Sequence, residues 1–188
     1  MKENLELIRE LTNEMMDSIS YADKITSLTD IEFMVGNEEG MTIEQIVPDL
    51  IPTDAASLET IRRKAYMKPH IAERLVSKDG TLSWIILKLR TFPKDSVWNK
   101  GKNAVSPEVL TGNELEHIIT KDKYQKLHPK GTGLPYVTAM KMKWIGKEMP
   151  RVMGIAALVS ILILLLITRS RFNEEEHNRF LAMFGKSG

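Results

Sequence analysis

The sequence predicts an α+β domain, a sheet covered by helices on one face, followed by a single transmembrane helix. Three observations predict it. Val152 to Thr168 reads VMGIAALVSILILLLIT, with no charge and with hydroxyls only at Ser160 and Thr168. The N-terminus, MKENLELIRELTNEMM, is patterned as an amphipathic helix, and mid-chain a Ser-Lys-Asp-Gly turn stands between two apolar runs. Ahead of the apolar run the order reads helix, strand, loop, helix, hairpin, helix, which suits helices segregated to one face of a sheet.

The apolar run covers roughly 25 Å of helix, slightly under the roughly 30 Å of a hydrocarbon core, so it lies at the short end of the spanning range. Arg151 and Arg169 bracket it, and their long side chains reach the headgroups from either end. The run is apolar all the way round, and the rest of the chain is too small to wrap it as a buried core helix. It holds no ionisable residue, so it anchors or packs and carries no proton relay or ion path. Ala156 and Ser160 form one small-xxx-small pair suited to close helix approach.

The other elements follow in order. Leu5, Ile8, Leu11, Met15 and Ile19 recur at steps of three and four, an amphipathic helix that must bury its stripe against a sheet. Ala22 to Leu28 is a short strand, and Ile31 to Val35 either continues it or runs as an edge. Gly36 to Pro52, punctuated by glycine and proline, reads as loop with a helical turn around Ile43 to Val47. Thr53 or Asp54 caps a second helix, AASLETIRRKAYM, in which Leu58, Ile61 and Ala65 share a face and which Pro69 ends.

Ile71 to Ser77, Lys78 to Thr81 and Leu82 to Phe92 form a β-hairpin, with Asp79-Gly80 supplying the positive φ angles of a two-residue primed turn. Its second arm alternates Ser83, Ile85, Leu87 and Leu89 towards the core with Trp84, Ile86, Lys88 and Arg90 outward. Pro93 to Asn103 is a polar connector with a lone Trp98. A third helix lies between Ser106 and Lys123, with Ser106 as N-cap, Pro107 in the first position, Glu108 in the first turn and Gly112 as a weak point. Pro129 to Pro135 is a break. From Val137 a helical pattern runs past Trp144, interrupted at Gly146 and Pro150, into the span. This organisation gives a domain over 1–136, a connecting helix over 137–151, the span over 152–168 and a short polar tail over 169–188.

Composition narrows the function. With 188 residues and a mean hydropathy of −0.20, one ordinary water-facing domain accompanies the span. Lys and Arg number 26 against 25 Asp and Glu, which gives no reason to expect nucleic acid as a partner. The absence of cysteine removes disulfides and thiolate chemistry and leaves the compartment open. No apolar h-region with a cleavage site opens the chain, so insertion rests on the span itself or on a segment upstream in a longer chain. His70, His117, His128 and His177 have no second ligand at metal-binding spacing, and Glu174, Glu175 and Glu176 read as a solvated run. Gly131-Thr132-Gly133 is a loop. No nucleophile motif, phosphate loop or dinucleotide fingerprint occurs, so no catalytic, cofactor-binding or metal residue is expected, and the chain is not expected to be an enzyme.

Read in order, several pieces resemble the RND superfamily of exporters, in particular the MMPL-type and hopanoid-exporter-like branch with a Patched or sterol-sensing type membrane fold. They are the amphipathic helix leading into Ile25-Thr26-Ser27-Leu28-Thr29-Asp30, the helix then hairpin LVSKDGTLSWIILKL, and TGLPYV followed by a helix that enters the span and leaves through Thr168-Arg169-Ser170. The resemblance covers roughly residues 3–171. It implies the large extracytoplasmic loop between the first and second membrane helices, an incomplete ferredoxin-like porter subdomain, and then the second helix. It further implies a place in the cell inner membrane, single-pass in this chain, with membrane lipid, the remaining membrane helices of a larger transporter and a hydrophobic or lipid substrate as partners. The segment from Val137 to Thr168 would transmit movement between porter domain and membrane. The family's first membrane helix and first porter strand would precede Met1, and its proton-coupling residues lie on a later helix. On this reading the chain is a fragment, not transport-competent alone.

Orientation divides the readings. Lys141, Lys143, Lys147 and Arg151 flank the span on one side, and Arg169, Arg171 and Arg179 on the other. Positive-inside counting slightly favours a cytoplasmic domain, whereas the resemblance implies an extracytoplasmic one. The rival reading is a tail-anchored single-pass protein whose soluble domain binds another protein.

Overall fold

The computed structural model describes residues 2–37, 40–67, 74–94 and 104–184, in two compact units, Met1–Met140 and Lys141–Gly188. The first is a mixed α+β unit. Its opening helix α1 (Lys2–Ser18) buries Leu5, Leu11 and Met15, with Ile19 just beyond its end, whereas Ile8 of the expected stripe is only half-buried and Leu7 packs on the core in its stead. The stripe serves two cores: Leu5 enters one, while Leu11, Met15 and Ile19 enter the other.

The second core shows why the sequence reads as it does. Strand β1 (Ala22–Thr26) pairs antiparallel with a strand in the second arm of the expected hairpin, β4 (Ile86–Leu89). Ala22 and Ile25 are both buried, a spacing of three that strict alternation forbids. A bulge resolves it. The register shifts between Ala22 and Lys24, so Ala22 opposes Leu89 and Ile25 opposes Leu87, and all four side chains serve the core. Asp23, the extra residue, turns out to meet Lys88 at 2.9 Å. Past the bulge, the Arg90 N–H donates to the Tyr21 carbonyl and its Nε to the Ala22 carbonyl, both at 2.8 Å, and Tyr21 sits edge-on to Phe92.

The first core gathers Leu5, Ile46, Val47, Ile51, Ile61, Ala65 and Leu75. Helix α2 (Ala55–Met67) contributes Ile61 and Ala65, with Leu58 partly buried beside them, and Asp54 caps it by accepting from the Ser57 N–H at 2.7 Å. Pro69 lies outside the described residues. Strands β2 (Glu32–Asn37) and β3 (Gly40–Gln45) form a second antiparallel pair, where Phe33 leans on this core and Glu44 meets Lys64 of α2 at 3.1 Å. The loop with a helical turn expected over Gly36 to Pro52 is therefore corrected: residues 36–37 and 40–45 are strand, and Ile46 and Val47 are core residues. The alternation of Met41, Thr42, Ile43 and Glu44 is short, and β3 turns its apolar side chains outward, with Met41 at 82% and Ile43 at 66% exposure, so the pattern marks no buried face.

Two further expectations are corrected. Ser77 to Leu82 does turn the chain, through Ser77 N–H to Leu82 carbonyl at 2.9 Å, but not as a two-residue primed turn. Only Gly80 takes a positive φ, +72°, while Asp79 works through its carboxylate, which accepts from Ser77 Oγ, Thr81 N–H and Thr81 Oγ1. The first arm contributes a single bridge, Val76 to Ser83; residues 71–73 lie outside the described set. Strand β4 instead takes β1 as its partner. Accordingly, the described strands make two separate two-stranded sheets where one covered sheet was expected.

The expected third helix divides in two. Helix α3 (Pro107–Ile119) starts as predicted, with Ser106 Oγ accepting from the Val109 N–H at 3.3 Å, and ends at Thr120. A 3-10 helix (Asp122–Leu127) follows, with Tyr124 fully buried and His128 ending it at φ 48°. This segment is tied to α1 by charge. Glu3, Glu10 and Glu14 stand at intervals of seven and four, on one helix face. They meet Lys126, Lys123 and Lys121, with Lys123 to Glu10 at 2.5 Å. Glu14 also accepts from the Tyr124 hydroxyl at 2.6 Å and from Lys123 at 2.8 Å. Hydrogen bonds from Lys121, Lys123 and Tyr124 lower the Glu14 carboxyl to about 2, while burial and the same bond raise the Tyr124 phenol to about 12.

Candidate membrane anchor

Helix α4 runs from Leu134 to Phe184. Its first turns belong to the α+β unit, and the reason is a glycine. A Cβ on Gly112 of α3 would lie 2.2 Å from the Pro135 carbonyl oxygen and 2.5 Å from the Ala139 Cβ, so only glycine permits this approach. Tyr136 donates to Glu116 of α3 at 2.7 Å, its ring lying over Gly131. The Gly131-Thr132-Gly133 loop thus shapes the start of α4, with Gly133 at φ +100° and its carbonyl accepting from the Val137 N–H.

Farther on, Leu134–Arg169 is long and apolar enough to cross a membrane, and none of its most apolar stretch is buried. Every large apolar side chain from Val152 to Ile167 is exposed. Lipid, or other apolar helices, is the environment that surface requires. Its two hydroxyls are already satisfied within the helix: Ser160 Oγ donates to the Ala156 carbonyl at 2.8 Å and Thr168 Oγ1 to the Leu164 carbonyl at 2.7 Å. Neither carries an unmet hydrogen bond into hydrocarbon.

The helix continues through Gly146 and Pro150, where interruptions were expected, and through the polar residues after Arg169 as far as Phe184. Proline at 150 removes one bond and pushes its ring against the carbonyl four residues back. That residue is Gly146, with open space where a Cβ would be, so the turn can yield without crowding a side chain. Arg151 stands at the edge of the apolar run, its Nη1 3.4 Å from Glu148.

Chemistry elsewhere is sparse. Among the described residues no three His, Asp or Glu side chains gather as a metal-holding set. His117 and His128 are exposed, and the side chains of His70 and His177 lie outside the described residues, as do those of Glu174 to Glu176. Sequence reasoning missed the acidic stripe of α1 and its lysine partners. The signal was present in the seven-and-four spacing of Glu3, Glu10 and Glu14, but solvated charge has the same spacing on many helices. Compared with protein-family models, with curated proteins and with solved structures, the chain matches none.

Proposed function

We propose that this chain is the porter piece and second membrane helix of an RND exporter of the MMPL type, moving lipids or other hydrophobic molecules across the inner membrane. The observation that carries the reading is that one helix, α4, begins inside the α+β unit and contains the apolar run, with no linker sequence between them. A porter element that moves with a membrane helix needs such continuity. The quoted motifs support it by the work they do: Ser27 and Thr29 of the Thr-Ser-Leu-Thr-Asp stretch bond each other in the interior at 3.0 Å, and the Gly-Leu-Pro stretch opens α4. Further support comes from α1 and α3 packing on the β1–β4 pair, a two-layer arrangement. The ferredoxin-like sheet belongs to this proposal. Proton coupling would fall to other helices, since the span holds no ionisable group.

A tail-anchored protein with a protein-binding domain is the second reading, favoured by four cations before the span against three after it. Protease protection decides between them, with one tag at Met1 and another after Gly188 in spheroplasts. Loss of the N-terminal tag with protection of the C-terminal one is the expected outcome. The reverse pattern places the domain in the cytoplasm and leaves the tail-anchored reading.

A further inference from the structure

We infer that Lys143, Lys147 and Arg151, with Trp144 beside them, form a docking surface for the phosphate headgroups of anionic lipids at the domain-facing end of the span. The inference rests on the membrane-spanning reading of α4. These three cations stand at intervals of four, so each lies about 40° further round the helix than the last, and together they occupy about 80° of its surface. Trp144 falls about 20° beyond Arg151 on the same side. All four side chains are exposed, and Trp144 at 66% is too open for a core role. Met142, Met149 and Met153, also exposed, fall on the opposite side.

Depth selects the ligand. The uncharged run is short of a hydrocarbon core by roughly 5 Å, so one flank must enter the bilayer. Side chains on a helix lean towards its N-terminus. Arg151, at the N-terminal edge, therefore leans outward to water, whereas Arg169 at the other edge leans inward, and the core extends on the Arg151 side to about Met149. Lys147, Trp144 and Lys143 then lie roughly 3, 8 and 9 Å outside the hydrocarbon, within or at the rim of a headgroup layer about 5–8 Å deep. That is the layer in which lipid phosphates sit and an indole prefers to lie. The Glu148 carboxylate, 3.4 Å from Arg151 Nη1, opposes the surface by neutralising part of its charge. On the extracytoplasmic side these cations would run against the usual charge bias of membrane flanks, and headgroup binding gives them a purpose there.

The test uses the full chain in phosphatidylcholine bilayers doped with spin-labelled phosphatidylglycerol or spin-labelled phosphatidylcholine. At low salt the motionally restricted fraction is expected to favour phosphatidylglycerol by roughly fivefold, the scale of one effective cation at a membrane surface. The preference should fall towards unity in 0.5 M salt and in the K143Q/K147Q/R151Q variant, persist in K143R/K147R, and rise in Glu148→Gln. Equal restriction of the two lipids by the unmodified chain overturns the inference while leaving the span intact. Absence of a restricted component for either lipid instead sinks the membrane-spanning reading on which it stands. Loss of preference in K143R/K147R also counts against the surface, since headgroup attraction needs charge and not lysine.

Discussion

At the scale of single residues, the unit Met1–Met140 depends on a few side chains whose effects can be measured. Glu14 has its carboxyl lowered to about 2 by Lys121, Lys123 and Tyr124. A carboxylate lowered in the folded state contributes stability above its unfolded value, near 4.5, and loses that contribution as pH falls towards the folded value. Glu14→Gln is therefore expected to cost about 1–2 kcal/mol at pH 7, less than the full shift implies because solvent reaches the lysines. It should also flatten the fall in denaturant midpoint between pH 4.5 and 2, which urea titrations at several pH values would show. Gly112 gives a test in which two effects oppose. Helix propensity favours Gly112→Ala by about 1 kcal/mol, but the added methyl meets the Pro135 carbonyl at 2.2 Å. Overlap with backbone should win, with a net loss of about 2 kcal/mol in chemical denaturation. A gain in stability would mean that α3 and the start of α4 are not in contact.

At the scale of elements, the turn from Ser77 to Leu82 depends on Gly80 at φ +72° with the Tyr66 hydroxyl 3.0 Å from where a Cβ would be. Gly80→Ala should lower the melting midpoint by an amount equivalent to about 1 kcal/mol, and Gly80→Asn by less, since asparagine tolerates the left-handed region. Much at this scale was legible in the sequence. The stripe of α1, the caps at Asp54 and Ser106, and the alternation from Ser83 to Arg90 each stem from one local rule that the structure keeps. What was illegible has a common cause in partner choice. The partner of β4 is β1, more than sixty positions away, and nothing local distinguishes that pairing from a long hairpin. The strand β3 hid because its alternation of Met41, Thr42, Ile43 and Glu44 is short and turns its apolar side to solvent, as does Met34 of β2 opposite Ile43, so the pattern marks no core face. The bulge at Asp23 is likewise invisible until its opposite strand is known. Of the membrane anchor, the apolar run was plain, whereas the accommodation of Pro150 over Gly146 needs the helix in three dimensions.

For the whole molecule, the exposed apolar helix sets behaviour. Membranes containing the full chain, washed in alkaline carbonate, should retain it in the pellet, while a chain ending at Met140 should go to the supernatant and elute as a folded species. Retention of the shorter chain would move the membrane-binding surface into the α+β unit. The way this unit is closed has a consequence for how it is made. Glu3, Glu10 and Glu14 near the beginning find their lysines more than a hundred positions later, and Gly112 finds Pro135 and Ala139 in α4 itself. A ribosome must therefore deliver the opening of the membrane helix before the domain can shut, and contacts of such long reach form slowly. Residues 134–139, which close the domain, and the apolar run that opens at Val152 therefore leave the ribosome within one short stretch of newly made chain.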